Sequence, residues 1–168
     1  MVKPALVCNT SPLLYLGRIA LVQLLPALFD PVYVPETVIL ELDAGRLLRP
    51  DTIDPRGLKW ITRVSISQTS VDSLPPNRLG SGERAVIAYA SAQSGCVVGL
   101  DDRQARLLAQ QLGLTVVGTI GILIKAKQAG LIPSVWPLLD AVHREGFHIT
   151  TEVYSEALQL IGEVAEAG

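Results

Sequence analysis

Short apolar runs alternating with longer amphipathic segments predict an α/β fold built on a mainly parallel sheet. Three observations carry that expectation. Uncharged strand-like runs recur at Ala5–Cys8, Val32–Val34, Cys96–Leu100 and Thr115–Val117, each followed by helix-like sequence. The first run leads into Asn9-Thr10-Ser11-Pro12-Leu13, where serine favours a helix N-cap and proline's fixed φ suits the first helical position. Apolar residues make up 49% of the chain and aromatic ones only 5%, which suits aliphatic packing between helices and a sheet. Right-handed crossovers place all strand carboxyl ends on one edge, the rim where open α/β sheets bind ligands.

Each element follows in turn. Ala5–Cys8 reads as a buried strand because its apolar run is short and continuous. Pro12–Leu28 is helical, with a break near Ala20. Val32–Val34 is the second strand, and Pro35-Glu36-Thr37 opens a helix over Glu36–Ala44. Between Gly45 and Gly80 the rhythm weakens. There Leu58–Ile66 alternates enough for an extra strand or a hairpin arm, and Ser73–Gly80, with Pro75-Pro76, is a loop. Ser81-Gly82 then opens the helix Gly82–Ser94, the strand Cys96–Leu100 follows, and Arg103–Leu112 is helical. Strand Thr115–Val117 precedes helices at Gly118–Ala129, Val135–Arg144 and Glu152–Val164. With no internal repeat and no compositional boundary, residues 1–168 form one domain, long enough for a substantial core.

Charge and cysteine usage narrow the function classes. A net charge of −2 gives no global attraction to nucleic acid, so any such contact needs a local patch. One candidate patch is the segment 46–63, where Arg46, Arg49, Arg56, Lys59 and Arg63 exceed Asp51 and Asp54 by three charges. The end of the chain is the reverse, since Glu152, Glu156, Glu163 and Glu166 stand there without Lys or Arg; it reads as a solvated face. Cys8 and Cys96 lie in apolar runs and read as core residues, not as a disulfide or a metal pair. His143 and His148 lack metal-ligand spacing, and Trp60, Trp136 and Tyr154 read as packing anchors. The start shows no secretory signal, and the long uncharged stretch Leu107–Ile124 is interrupted by Gln110, Gln111 and Gly113. A cytoplasmic protein without a membrane segment is expected.

Four positions fall at element ends on the shared rim. Asn9 ends the first strand, Glu41 lies two turns into the second helix, Glu83 sits in the first turn opened by Ser81-Gly82, and Asp101, with Asp102 beside it, follows the strand Cys96–Leu100. Each has an ordinary alternative: a solvent-facing helix glutamate, a charge at a helix N-terminus, a cap for the helix carrying Arg103 and Arg106, a turn asparagine. Together they describe an acidic pocket. Carboxylates brought together raise one another's pKa, and a hard divalent cation relieves the repulsion. Such an ion about 4 Å from one carboxylate gains roughly 8 kcal/mol before desolvation at an effective dielectric of about 20. The expectation from these residues is a metal site or one with a protonated member.

The same residues belong to an ordered set: Asn9-Thr10-Ser11-Pro12-Leu13, Leu24-Leu25-Pro26-Ala27-Leu28-Phe29, Val34-Pro35-Glu36-Thr37-Val38 leading to Glu41, Gly82-Glu83-Arg84-Ala85-Val86, Asp101-Asp102-Arg103-Gln104-Ala105-Arg106, Gly118-Thr119-Ile120-Gly121, and Lys127 to Pro133. As a set it resembles the PIN-domain family, and more closely a prokaryotic PIN-like branch that opens on Asp or Asn before Thr-Ser-Pro-Leu. The resemblance spans about residue 5 to about residue 160. It implies a three-layer α/β/α domain and a metal-dependent ribonuclease using Mg²⁺ or Mn²⁺, with water as nucleophile. On that likeness the acidic positions fall on Asn9, Glu41, Glu83 and Asp101, with Asp102 as the alternative to Asp101 if the strand ends one residue later. Thr10 and Ser11 match hydroxyl positions that support the first ligand or a phosphate, and Arg103 or Arg106 would steady the phosphate. Many relatives are toxins held by a small antitoxin protein, and many form homodimers.

One departure matters. The family usually places aspartate where this chain has Asn9, which offers a carbonyl oxygen without a charge. A rival reading is therefore a PIN-like module that binds RNA or a partner protein with little catalysis. A phosphotransfer fold of the dehalogenase type needs Asp-x-Asp after the first strand, which Asn9-Thr10-Ser11 does not supply.

Overall fold

Strand β1 (Ala5–Cys8) lies at the centre of the sheet, and its composition explains why. Leu6, Val7 and Cys8 are fully buried, as a strand covered on both faces requires. In the computed structural model, which describes residues 2–162, β1 pairs in parallel with β2 (Val32–Pro35) on one side and β4 (Cys96–Gly99) on the other. Leu6 stands opposite both Val32 and Val97. Beyond β2 runs β3 (Ile61–Val64), and beyond β4 runs β5 (Thr115–Val117), giving the order β3-β2-β1-β4-β5 with every pairing parallel. The chain steps outward in one direction, returns, and continues in the other. The crevice between the carboxyl ends of β1 and β4 is therefore the topological switch point, where ligands bind in this architecture.

The helices complete a three-layer α/β/α arrangement: α1 (Thr10–Arg18), α2 (Leu24–Leu28), α3 (Glu36–Leu48), α4 (Gln68–Asp72), α5 (Ser81–Ala92), α6 (Arg103–Gln111), α7 (Thr119–Gln128), α8 (Trp136–Arg144) and α9 (Thr151–Leu160). Helix α5 packs on β1, β2 and β4, flanked by α3 and α6, while α7 packs against α1, α2 and α9. Leu13, Leu16, Leu25, Ile39, Ile87 and Leu123 are fully buried between these layers, and Trp60, Trp136 and Tyr154 pack at the edge of the core. No described helix is long and apolar enough to cross a membrane. Residues Leu107–Ile124 form helix, strand and helix, as their interruptions predict.

Several local expectations shift. Helix α1 starts at Thr10 with Asn9 as its cap, not at Ser11, and Pro12 occupies the third helical position, where an amide N–H lacks an intrahelical partner in any case. Helix α3 runs to Leu48 through Gly45, four residues beyond the expected Ala44. The ambiguous segment supplies β3 as a parallel edge strand, so β2, α3 and β3 form a regular crossover unit and not a hairpin. Its outer residues Thr62 and Arg63 are exposed, which blurs the alternation. The expected end of the last helix at Val164, with Glu163 and Glu166, lies outside the described residues.

The arginines of the basic segment are all paired with carboxylates. Arg46 pairs with Asp43, Arg56 chelates the same carboxylate through two contacts of 2.7 Å, Arg49 meets Asp51 and Glu145 at 3.0 Å, and Arg63 meets Glu36 at 2.9 Å. The Arg56 hydrogen bonds hold the Asp43 carboxyl down to about 2. Asp43, Glu36 and Glu145 lie outside the window 46–63, so a local count of charge misses them.

The break expected near Ala20 is a left-handed turn. Ala20 has φ of 58°, its N–H reaches the Gly17 carbonyl at 3.1 Å, and the Leu21 N–H reaches Leu16 at 2.8 Å. These two bonds cap α1 in the manner that glycine usually serves. Relieving an L-residue of left-handed backbone gains about 1–2 kcal/mol, against about 0.5–1 kcal/mol for glycine's greater freedom when unfolded. Ala20→Gly is expected to stabilise the protein by roughly 0.5–1 kcal/mol in urea unfolding.

Candidate functional site

The first turn of α1 organises the switch-point crevice. Three consecutive residues there reach three separate parts of the chain. Asn9 ends β1, is 8% exposed, and donates its backbone N–H to the Gly99 carbonyl at 3.0 Å, which ties it to the end of β4. The Thr10 hydroxyl donates to Glu41 Oε2 on α3, and the Ser11 hydroxyl donates to Asp101 Oδ2 at 2.6 Å. Glu41 is held again by the Gly82 backbone N–H at 3.1 Å. Asp101 is held again by Thr119, whose backbone N–H reaches Oδ1 at 2.7 Å and whose hydroxyl reaches Oδ2 at 2.6 Å. Glu41 thus rests on the N-terminus of α5, and Asp101 on the N-terminus of α7.

This arrangement supplies a way to hold carboxylates together that the sequence argument did not include. The unpaired amides and macrodipole of a helix N-terminus carry partial positive charge. Each of these two carboxylates meets one such terminus and a hydroxyl. The close approach requires small residues. A Cβ on Gly82 would fall 2.7 Å from both Glu41 carboxylate oxygens, and one on Gly118 would fall 2.8 Å from Asp101 Oδ1.

Glu83 and Asp102 behave differently. Asp102 caps α6, accepting the Ala105 N–H at 2.9 Å, which matches its ordinary capping alternative. Glu83 turns Oε1 toward the Gly80 N–H at 3.3 Å. Burial pushes its carboxyl pKa up, the Asp102 charge adds to this, the Gly80 hydrogen bond opposes it, and the Glu41 charge contributes in the same upward sense. Asp102 and Glu41 are thus the two charges that act on Glu83. Asp101 likewise reinforces burial in raising the pKa of the Cys8 thiol, which leaves that cysteine an inert core group.

Two oxygens stand out. Asn9 Oδ1 and Glu83 Oε2 are buried and have no hydrogen-bond partner. An unsatisfied buried acceptor costs about 1–3 kcal/mol, so each is suited to a donor or a cation. Among the described residues, no group of three or more Asp, Glu, His or Cys side chains is arranged to hold a metal ion by itself. A cation here would therefore draw on the Asn9 carbonyl as well as on carboxylates. The donor set is all oxygen, which fits Mg²⁺ or Mn²⁺.

Sequence reasoning placed Asn9, Glu41, Glu83 and Asp101 around one rim, and the structure brings them to the crevice from β1, α3, α5 and the β4–α6 connection. It did not assign Thr119 a part, although that residue is fully buried and holds Asp101 with two hydrogen bonds. The available signal was its place directly after β5 and Gly118, equivalent to that of Thr10 after β1. Arg103 and Arg106 lie on α6 next to Asp101, where they line a cavity of about 690 Å³. A second cavity of about 500 Å³ opens on the other side of α6, between Glu83, Asp102 and Arg78.

The raised Glu83 pKa has a consequence for stability. The native protein favours the protonated carboxyl, so ionisation above that pKa works against the fold. In metal-free buffer at pH 7, Glu83→Gln is expected to raise the melting temperature. The gain should shrink as pH falls through the ordinary carboxylate range near 4, where Glu83 is protonated in both folded and unfolded chains. Thermal melts of the two proteins across that pH range check this.

A family model described as a PIN domain matches residues 5–163. No curated protein matches the chain.

Proposed function

The chain belongs to the PIN-domain family, a nuclease-like fold, and from that premise we propose that it is a ribonuclease dependent on a divalent cation, hydrolysing RNA phosphodiester bonds at the β1–β4 crevice. The observation that carries this reading is the pair of buried, unpartnered oxygens, Asn9 Oδ1 and Glu83 Oε2, beside the fixed carboxylates of Glu41 and Asp101. Asn9, Glu41, Glu83 and Asp101 would hold Mg²⁺ or Mn²⁺. Asp102, committed to the α6 cap, would add charge nearby without leaving it. When bound, the ion makes a water molecule a better nucleophile and offsets charge building on the phosphate oxygens.

The protein's own groups perform the positioning. Thr10 and Ser11 fix the rotamers of Glu41 and Asp101; each Glu41 oxygen and Asp101 Oδ1 accept one hydrogen bond and keep acceptor capacity, whereas Asp101 Oδ2 accepts two. Arg103 and Arg106 supply cationic donors for the phosphate, and the N-termini of α1, α5 and α7 add partial positive charge around it. The family likeness extends the reading to a homodimer and to a small inhibitory protein of the antitoxin kind.

A second reading has its own support. Asn9 brings no charge, and Glu41 and Asp101 already accept hydrogen bonds from helix termini and hydroxyls. These features favour a PIN-like module that binds RNA or a partner protein and cleaves slowly. Asn9→Asp separates the two. It should tighten Mn²⁺ binding in either case, but only under the second reading does it raise cleavage from near zero.

Under the ribonuclease reading, Glu41→Gln and Asp101→Asn each lower divalent-dependent cleavage of single-stranded RNA by about a hundredfold or more, the upper end of losses seen for outer-shell partners of metal sites. Chelation by EDTA abolishes cleavage and added Mn²⁺ restores it. Unchanged turnover in both variants overturns the assignment. Gly82→Ala supplies a third test. Its methyl group displaces the Glu41 carboxylate from the Gly82 N–H, so cleavage falls at least tenfold.

A further inference from the structure

Beside Asp101 lies the open cavity of about 690 Å³ bordered by β5, α6, α7 and α9. Its size falls in the range that takes a small organic group. Its floor is aliphatic, with Val116, Ile120 and Ile124 from β5 and α7 and Val153 from α9. Its rim carries Arg103, Arg106 and Lys125, opposed by Asp101 and Glu156.

Two of the cations on this rim are not drawn off by carboxylates. Arg46, Arg49, Arg56, Arg63 and Arg144 are each paired with a carboxylate, whereas among the described residues Arg103 and Lys125 have no ion-pair partner. Arg106 donates to the Leu100 carbonyl at 3.2 Å, which holds its guanidinium between the acidic crevice and the cavity. An apolar chamber, a rim with two unpaired cations, and a shared wall with the phosphodiester site describe the surroundings of one nucleotide.

We propose that this cavity receives a nucleobase of single-stranded RNA, the one adjoining the bond to be cut, with Arg103 and Lys125 on the flanking phosphates. The inference rests on the ribonuclease reading and names its substrate class. A base stacked and paired in a duplex cannot enter such a chamber, so the substrate is unpaired at this nucleotide.

The test is fluorescence anisotropy in EDTA, where nothing is cleaved, with a labelled short single-stranded oligoribonucleotide and the same backbone lacking its bases. Removing the bases weakens binding to the native protein about tenfold, within the range for base contacts in single-strand sites. Val153→Glu, at a residue 41% exposed on the cavity wall, weakens binding of the base-bearing strand by a similar factor beyond the smaller loss that its added charge imposes on both strands. Lys125→Ala keeps the preference for bases and lowers the salt dependence by about one phosphate contact. Equal binding of the two strands by the native protein, full affinity of Val153→Glu for the base-bearing strand, or equal affinity for the duplex form overturns the inference. Cleavage of the same strand in Mg²⁺ is measured in parallel. Cleavage without base-dependent binding sinks the cavity assignment alone, whereas base-dependent binding without cleavage sinks the ribonuclease reading alone.

Discussion

Carboxylates crowded at one sheet edge must each find compensation, and the rest of this molecule is arranged around that requirement. Glu41 and Asp101 find it in the amides that open α5 and α7, joined by the hydroxyls of Thr10 and Ser11. The parallel topology makes this possible, because every strand in such a sheet delivers the start of its following helix to the same rim. The glycines at 82 and 118 let backbone and carboxylate approach within hydrogen-bonding distance. Glu83 lies outside this scheme. It has a single weak amide contact, two acidic neighbours and one unpartnered oxygen, and its carboxyl is the one whose pKa moves upward.

Much of the fold was legible because buried parallel strands are written as continuous apolar runs, as β1, β2 and β4 are, and the edge strand β5 keeps Val116 and Val117. Strand β3 was ambiguous for a physical reason: an edge strand with Thr62 and Arg63 facing solvent carries half the hydrophobic signal of a central one. The start of α1 was misplaced by two residues because Ser11-Pro12 is a stronger local signal than Asn9, yet the tertiary position of β1 decides where the chain can turn. The four rim positions could be read from their places at element ends. Their pairings could not, since Thr10 and Glu41 are 31 residues apart and Ser11 and Asp101 are 90 apart. The apparent basic stripe failed for the same reason, its carboxylate partners being supplied from outside the stripe.

The substitution at the first acidic position acquires a definite meaning in this setting. Asn9 does not use its side chain to cap α1, so its carbonyl is left buried and without a donor at the mouth of the crevice. A charge there would add to a rim that already carries Glu41 and Asp101, held by the next two residues, and the amide avoids that repulsion while keeping an oxygen in place. On the metal-site reading, stability of the pocket and affinity for a cation would be set against each other at this one residue.

The sheet order also bears on biosynthesis. The ribosome releases β1 first, but the strand that completes the crevice arrives only with β4, after the Ser11 partner has waited 90 residues. A nascent or prematurely terminated chain that stops before β4 has Asn9 and Glu41 but no Asp101. On the ribonuclease reading it would carry no finished cutting centre toward the messenger being read, because Asp101 joins the crevice only after about three-fifths of the chain has been made.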